Sequence, residues 1–470
     1  MLAEISTLKT DGKAPEPNVS GSRHVVIVGG GASGVLLACH LLRRFANDIK
    51  VTLIERHPTL GRGLAYGTAN PSHLLNVRAA NMSAFADDPD HFWQWLLANK
   101  LAADGSDPFC FVSRQIYGRY IESLLEGLTC GNNRKLDVIK AECVAVAPTA
   151  AGATATLANG SGISADVVVL ATGNETAQTH LTNLLYASPW QVPGEASIPG
   201  DGHVVILGAG LTMIDYVQSL LNAGHRGPIT AISRHGLLPR SHRSVVPFPI
   251  DRADVPFGAD IAGLVRWLRR TIRAAEQRGC GWRSVVDGLR PFTQELWQSL
   301  SVPARRRFLR HARSWWDVHR HRMAPEVEAV IADAIASGQL TIRAGKAQSI
   351  ESSGSAALVT FRRRGRASTE TMSAARIVDC TGINPVAHNT TNPVLRSLFD
   401  NGLARVDPLG LGLDSTSDCA LVDQSGEPSR RIFAIGPLTR AAFWEIVAIP
   451  DIRAQCHRLT VHIAAVLQDR

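Results

Sequence analysis

The sequence predicts an α/β protein with two Rossmann-like domains, the second inserted in the first, and an additional helical insertion. Two observations carry this prediction. A strand, a glycine-rich turn, a helix and a second strand follow one another near residue 24, and the same order recurs near residue 203. Short apolar runs that end in glycine-containing turns lie between and after the two copies, as expected of buried parallel strands. Two copies so far apart favour two separate folds over a solenoid of short repeats.

The elements of both copies can be placed in chain order. The first copy has a strand at 24–29, a helix at 35–45 and a strand at 50–54, and the second has a strand at 203–208, a helix at 212–222 and a strand at 228–233. Further strand-like runs at 166–170, 375–380 and 431–435 lead into turns, and we expect them to close the first fold. Glycines and threonines of these turns are candidate site residues: Thr172, Gly173, Gly382 and Gly436.

The predicted organisation has four parts. Residues 1–22 form a flexible lead-in, 23–195 the first part of the first domain, 196–375 the second domain, and 376–470 the last part of the first domain. A largely helical insertion without a nucleotide motif is predicted at about 251–337, within the second domain.

Composition narrows the function classes. With 470 residues, 45% hydrophobic and 19% charged, the chain is that of an ordinary globular protein with more than one core. No apolar run approaches the roughly 20 residues of a membrane span, and no signal pattern opens the chain, so we expect no membrane partner and a cytoplasmic location. Eight scattered cysteines without a C-x-x-C pair argue against a metal site and against a local dithiol. The sequence leaves the oligomeric state open.

The first glycine motif predicts a dinucleotide site. It spans residues 29–34 in the pattern G-x-G-x-x-G, between a strand and a helix. The first glycine makes the tight turn, the second admits a pyrophosphate, and the third lets the helix pack on the strand. Glu55 ends the next strand, where a carboxylate can accept hydrogen bonds from a ribose. The candidate binding residues are Gly29, Gly31, Ser33, Gly34, Glu55 and Arg56.

The second motif predicts another dinucleotide site, with methionine in place of the third glycine. Its candidate binding residues are Gly208, Gly210, Leu211 and Thr212. The following strand ends in Arg234 rather than an acid, and a guanidinium can pair with the 2′-phosphate of NADPH. NADPH is therefore favoured over NADH. Because one site must hold the redox group and the other the hydride donor, we expect FAD in the first site and NADPH in the second.

Two other features are candidates for flavin contact, and a third is a candidate for contact with an anionic substrate or NADPH. His73, Asn76 and Ser83 lie in the loop after the acid-bearing strand and can either bond the flavin ring or satisfy buried backbone. Asp451 follows a proline at a predicted helix start, whose N–H groups can point at the flavin. Residues 305–322 hold seven arginines and one acid. They are a solvated helix face or the entrance for an anionic substrate or NADPH, whereas nucleic acid is disfavoured because no binding fold surrounds them.

Further motifs extend from His24 to the end of the chain. They are GRGLAYG at 61–67, HLLNV at 73–77, MSAF at 82–85, DP at 88–89, Phe92, SRHGLLP at 233–239, the stretch 306–322, FWE at 443–445 and IPDIR at 449–453. With the glycine motifs they resemble a bacterial FAD-NAD(P)-binding family of two-dinucleotide-binding flavoproteins. That family is similar in plan to the flavin N-hydroxylating monooxygenases. The chain departs from Baeyer–Villiger enzymes, whose signature segment it lacks, and Pro437 stands where many flavoproteins have an aspartate.

The resemblance implies an FAD-dependent NAD(P)H oxidoreductase. Its leading form is a monooxygenase in which a C4a-hydroperoxyflavin passes oxygen from dioxygen to a small amine or another nucleophilic substrate. One alternative is an NAD(P)H-dependent flavin reductase or dehydrogenase with an acceptor other than oxygen. The other is a flavin-binding regulatory protein with little turnover. No catalytic side chain stands out in the sequence, since the cofactor performs the difficult chemistry.

Overall fold

The computed structural model describes residues 23–45, 48–126, 128, 136–174, 185–187, 189–190, 200–382 and 390–468. The predicted lead-in at 1–22 lies outside them. The strands are β1 (Arg23–Val28), β2 (Ile49–Glu55), β3 (Leu136–Lys140), β4 (Cys143–Pro148), β5 (Ala153–Leu157), β6 (Gly162–Ala165), β7 (Val167–Leu170), β8 (Tyr186–Ala187), β9 (Val204–Leu207), β10 (Ile229–Ser233), β11 (Leu340–Ser353), β12 (Ala356–Arg363), β13 (Thr369–Ala374), β14 (Arg376–Asp379), β15 (Ala420–Val422) and β16 (Pro428–Ala434).

The α-helices lie between and after these strands. They are α1 (Ala32–Phe45), α2 (Gly63–Tyr66), α3 (His91–Ala98), α4 (Arg114–Ser123), α5 (Leu211–Asn222), α6 (Ile261–Gln277), α7 (Trp282–Leu289), α8 (Thr293–Ser299), α9 (Val302–His311), α10 (Arg313–Arg320), α11 (Pro325–Ala336), α12 (Pro393–Asp400) and α13 (Ile449–Val466). Short 3₁₀ turns are formed by Ala79–Asn81, Arg252–Asp254, Arg290–Phe292 and Gly436–Thr439.

The first sheet has the strand order β15-β16-β7-β1-β2-β3 among the described residues. All its pairs are parallel except β15 with β16. Alternate residues of β1 enter two different cores. Val25 and Ile27 pack with α1 and α13, whereas Val26 and Val28 pack with α12 and the small antiparallel sheet β4-β5-β6. Burial on both faces explains why residues 25–28 of this strand are apolar without interruption.

The second sheet has the order β13-β12-β11-β10-β9-β14-β8 in the described chain, with β8 to β11 and β14 parallel and β12 and β13 extending it as antiparallel strands. Helices α5 and α11 cover one face through residues such as Val217 and Ile331. Phe361 and Ile377 belong to the core on the other face. The predicted second Rossmann-like domain inserted in the first is therefore confirmed.

One element lies in the other domain from the one predicted. The run at 375–380 was expected to close the first sheet, but β14 pairs with β9 in the second sheet, and β8 pairs with β14. The second sheet therefore extends from Tyr186 to Asp379, and the chain re-enters the first sheet only at β15 and β16. The prediction that the last part of the first domain begins at residue 376 is wrong for this strand. Both folds place a Thr-Gly turn after a buried strand, and this signature alone does not say which sheet the strand joins.

The predicted helical insertion is present as helices α6 to α11 in the connection between β10 and β11. Of these, α11 packs against α5 and β11 and acts as the crossover helix of the second domain. Helices α6 to α10 therefore form the insertion proper. Residues 251–322 contain 15 arginines and seven acidic residues, a net charge of +8 that equals the charge of the whole chain.

Candidate dinucleotide sites

Two glycines of the first turn are held by close backbone contacts. Gly29 has a φ of 112°, and a Cβ at this position would lie 2.4 Å from the carbonyl oxygen of Ala171. A Cβ at Gly34 would lie 1.9 Å from the carbonyl oxygen of Gly29. A side chain at either position would force the turn away from β7 or α1 away from β1. The structure thus supplies the physical reason for the first and third glycines of the motif.

The remaining positions of this turn leave room for a ligand. Among the described residues, the nearest atom to a Cβ at Gly31 is the Cα of Gly63, 3.7 Å away, and at Gly173 none lies within 4 Å. The hydroxyl of Thr172 is buried and has no hydrogen-bond partner among the described residues. Because α1 begins directly after Gly31, its unpaired N–H groups are available at the same place. These residues fit the pyrophosphate of a dinucleotide.

Glu55 lies beside the glycine turn, as its position at the end of β2 predicted. One carboxylate oxygen accepts from the backbone N–H of Gly30 at 2.6 Å and the other accepts from that of His57 at 2.8 Å. These bonds fix the carboxylate and leave lone pairs on both oxygens, so its contact with a ribose stays a prediction. The neighbouring Arg56 forms an exposed ion pair with Glu142 at 3.0 Å.

The C-terminal segment packs directly against the first turn of α1. Gly436 has a φ of 67°, and a Cβ there would lie 2.5 Å from the hydroxyl oxygen of Ser33. The backbone N–H of Gly436 donates to the side-chain oxygen of Gln455 at 2.8 Å. The side-chain N–H of Gln455 donates in turn to the hydroxyl of Thr439. The sequence identified Gly436 and Ser33 but missed Gln455, because a buried glutamine inside a helix carries no sequence signal of its role.

His73 and Ser83 both form hydrogen bonds within the protein. One ring nitrogen of His73 is 2.8 Å from the Thr68 hydroxyl and the other is 2.8 Å from the Ser219 hydroxyl. Burial lowers the pKa of His73. Ser83 is fully buried and its hydroxyl donates to the carbonyls of Phe85 and Asp88. Their polar atoms form hydrogen bonds within the protein, and the flavin contact of either residue stays a prediction.

Asn76 and Asp451 remain candidates for flavin contact. Asn76 is half-buried, and its backbone carbonyl oxygen accepts from Nε2 of His242 at 3.0 Å. Helix α13 begins at Ile449, two residues before the predicted start, which puts Asp451 in its first turn. The Asp451 carboxylate lies 3.3 Å from the guanidinium of Arg290 in the insertion, and burial raises its pKa. The side chain therefore faces the insertion.

The second glycine turn repeats the geometry of the first. Gly208 has a φ of 103°, and a Cβ there would lie 2.3 Å from the carbonyl oxygen of Cys380. In the described part of the chain, no atom lies within 4 Å of such a Cβ at Gly210 or at Gly382. Leu211 and Thr212 form the first turn of α5, and Met213, which replaces the third glycine, is fully buried in the core. Gly382 therefore belongs to the second site.

Two arginines and a histidine lie near the carboxyl end of β10. Arg234 is exposed, as its predicted phosphate contact requires. Arg364, from the turn after β12, contacts the ring of His235. The pKa of His235 is lowered, by burial first and then by Arg364 and Arg234. Arg364 lies 130 residues beyond Arg234 in the sequence, so no local pattern could have assigned it to this place.

Side chains of α5 join the second domain to the first. Arg114 forms an ion pair with Asp215 at 2.8 Å, and His73 contacts Ser219 on the same helix. Burial raises the pKa of Asp215, whereas Arg114 and His73 act to lower it. These contacts hold the two nucleotide domains against each other.

Residues 26–175 match the FAD-NAD(P)-binding family model. This match covers the first glycine turn, Glu55 and the loop after it. It confirms the resemblance predicted from the sequence and agrees with FAD and a nicotinamide dinucleotide as the cofactors. No curated protein sequence matches the chain.

Solved structures are similar over almost the entire chain. The ornithine N-hydroxylase of Kutzneria sp. 744, with reduced FAD, NADP⁺ and L-ornithine, has a TM-score of 0.65 and 14% identity, over 95% of this chain and 99% of that chain. The ornithine hydroxylase of Pseudomonas aeruginosa has a TM-score of 0.64 and 14% identity, over 95% and 100%. The L-lysine 6-monooxygenase of Pseudomonas syringae has a TM-score of 0.64 and 14% identity, over 94% and 99%. At such identities the likeness establishes the fold.

Two properties hold for the described residues as a whole. None of their helices has the length and apolar character needed to cross a bilayer. Nor do these residues contain a group of three or more histidine, cysteine, aspartate or glutamate side chains placed to hold a metal ion.

Proposed function

We propose that the protein is an FAD-dependent NADPH monooxygenase that transfers oxygen to a small amine or another nucleophilic substrate. The observation that carries the proposal is the pair of matching glycine turns on two separate sheets, each with open space at its second glycine. The likeness to amine-hydroxylating flavoproteins over 94–95% of the chain supports this reaction class.

The residues of the first site would hold FAD. Gly31 and the N-terminus of α1 would receive the pyrophosphate, Thr172 would donate its free hydroxyl, and Glu55 would accept from the ribose. Reduced flavin, when bound, supplies the electrons that activate dioxygen. Gly210 and Arg234 would position NADPH, so that binding energy from both ends of this dinucleotide orients its nicotinamide.

The reaction class is tested by product analysis. The FAD-loaded protein is incubated in air with NADPH and a panel of diamines and basic amino acids, and NADPH consumption, hydrogen peroxide and products gaining one oxygen atom are measured. A hydroxylated product in proportion to NADPH consumed is the expected result. Peroxide alone, with fast turnover of an artificial electron acceptor, would favour the reductase, and tight FAD with very slow reduction would favour the regulatory protein.

The nucleotide preference is tested at Arg234. Replacing Arg234 by Gln removes a charged partner of the 2′-phosphate, and charge-assisted hydrogen bonds contribute roughly 1.5–3 kcal/mol. We expect the apparent Kd for NADPH to rise about tenfold to a hundredfold, while that for NADH stays unchanged. Anaerobic titration of flavin reduction measures both. An equal loss for the two nucleotides would show that Arg234 does not read the phosphate.

A further inference from the structure

Arg322 is a buried charge with unused hydrogen-bonding capacity. Only 3% of its side chain is exposed. One terminal nitrogen contacts the carboxylate of Asp287, whereas Nε and Nη1 are buried and have no hydrogen-bond partner among the described residues. Buried donors without an acceptor destabilise a folded protein, and a guanidinium carries several in a fixed plane. An acceptor for Nε or Nη1 of Arg322 is therefore expected from a bound molecule.

The neighbours of Arg322 increase the positive charge. The guanidinium of Arg78 donates to the carbonyl of Arg243 at 3.2 Å, and that of Arg283 donates to the carbonyl of Ser241 at 3.1 Å. Both bonds use neutral acceptors, and neither guanidinium forms an ion pair with a carboxylate among the described residues. Arg243 is paired with Glu328 at 2.5 Å. Burial lowers the pKa of Arg322, and Arg320 and Arg78 lower it further, against the effect of Asp287.

This arginine cluster, defined as Arg78, Arg283 and Arg322, lies where three parts of the chain meet. Arg78 belongs to the loop of the first domain that also carries Asn76, and Arg283 belongs to α7 of the insertion. The segment after β10 joins them, because His242 donates its backbone N–H to Met323 and its ring Nε2 to the carbonyl of Asn76. The cluster is thus next to a predicted flavin contact.

We propose that Arg322, together with Arg78 and Arg283, binds an anionic group of the carboxylate or phosphate class. Both classes carry a negative charge opposite to that of the cluster and several oxygens, which can accept from the free Nε or Nη1 of Arg322 on either side of the guanidinium. The identification of this group as part of the substrate rests on the proposed function. The other source of the same chemistry is a phosphate of NADPH.

The test is calorimetric titration of the FAD-loaded protein with succinate, inorganic phosphate and NADPH at constant ionic strength. The variants are Arg78→Gln and Arg322→Lys. The lysine keeps the positive charge and lacks the guanidinium donors Nε and Nη1. Arg266→Gln is the matched control, since it removes one exposed arginine on α6. We expect Kd for succinate or phosphate to rise at least tenfold in both variants and to stay unchanged in the control.

The outcomes separate the two sources and the two proposals. Unchanged NADPH affinity in the variants assigns the site to the substrate, and a parallel tenfold loss of NADPH affinity assigns it to the dinucleotide. Equal anion affinity in all four proteins overturns the anion site. If Arg322→Lys does not fold, Arg78→Gln decides, because Arg78 is half-buried and its recorded bond is to a carbonyl. The titration requires no turnover, so it is readable even if no hydroxylated product forms.

Discussion

At the scale of single residues, distances to backbone atoms separate glycines that serve packing from glycines that serve a ligand. Gly34 belongs to the first kind, because a Cβ would overlap the carbonyl oxygen of Gly29. Gly31 belongs to the second, because only the Cα of Gly63 lies within 4 Å. Both residues are glycine positions in the motif pattern G-x-G-x-x-G, but the geometry shows that, of the two, only Gly34 is required for packing.

Replacing Gly34 by Ala should damage both folding and FAD binding. The overlap with Gly29 requires α1 to shift, and overpacking of this kind costs about 1–3 kcal/mol. We expect a lower free energy of unfolding in urea and a lower ratio of flavin to protein absorbance. Gly31→Ala is the control, with lower FAD affinity at near-wild-type stability. Full FAD occupancy in stable Gly34→Ala protein would contradict the prediction.

His242 should make stability dependent on pH. Burial, then Arg322, lowers the pKa of its imidazole to about 4, from an ordinary 6.5. The unfolded chain therefore takes up a proton before the folded one does, so this stability is present above pH 6.5 and is lost as pH falls toward 4. The full loss is about 3 kcal/mol. In His242→Gln, the free energy of unfolding should fall less steeply over this range, whereas parallel profiles would exclude the effect.

At the scale of elements, a buried network fastens the helical insertion to the C-terminal segment. Arg320 of α10 pairs with Glu445 at 3.0 Å, and Trp316 donates its indole N–H to the same carboxylate. Trp297 of α8 stacks on Trp444 with ring centroids 4.6 Å apart. Glu445 adopts a φ of 65°, unusual for a residue with a side chain. These contacts hold the insertion against the C-terminal segment of the first domain.

Replacing Glu445 by Gln should destabilise the protein strongly. Only 4% of the Glu445 side chain and 11% of Arg320 are exposed, and removing one partner of such a pair costs about 3–5 kcal/mol. Glu295→Gln breaks the exposed pair with Arg252 and should cost less than about 1 kcal/mol. Denaturation in urea measures both. Similar small losses would show that the Glu445 pair is solvated.

The sequence was informative where an element has its own local pattern. The glycine turns, Glu55, the insertion and the start of α13 all follow from residues close together in the chain. The strand at Arg376–Asp379 was misplaced because its neighbour in the sheet, β9, is about 170 residues away and both sheets end such strands in the same turn. The roles of Arg322 and Arg364 could not be predicted either, since each depends on partners brought together only by folding.

At the scale of the whole molecule, the two nucleotide sites are built on separate cores. The first sheet packs on α1, α12 and α13, and the second on α5 and α11. Helix α5 and its core contact the first domain through Arg114 with Asp215 and His73 with Ser219, and through packing of Leu74 and Phe111. A change confined to one glycine turn is therefore expected to leave the other site intact.

Gly210→Ala tests this independence. Its Cβ would have no neighbour within 4 Å, so folding should be unaffected, but the methyl group would stand where the pyrophosphate must approach the backbone. We expect an NADPH Kd at least tenfold higher, with unchanged FAD content and unfolding temperature. Loss of FAD from this variant would mean that the two sites are coupled through the domain contact.

The pairing of β16 with β7 has a consequence for how the chain is made. Strand β7 ends at Leu170, but the neighbour that covers its open edge begins at Pro428, about 260 residues later. At a synthesis rate of roughly 5–20 residues per second, the edge of β7 stays unpaired for about 13–50 s while the ribosome synthesises the second domain. Unpaired strand edges are sites of wrong association. We therefore expect the nascent first domain to be prone to wrong association at this edge until β16 is synthesised.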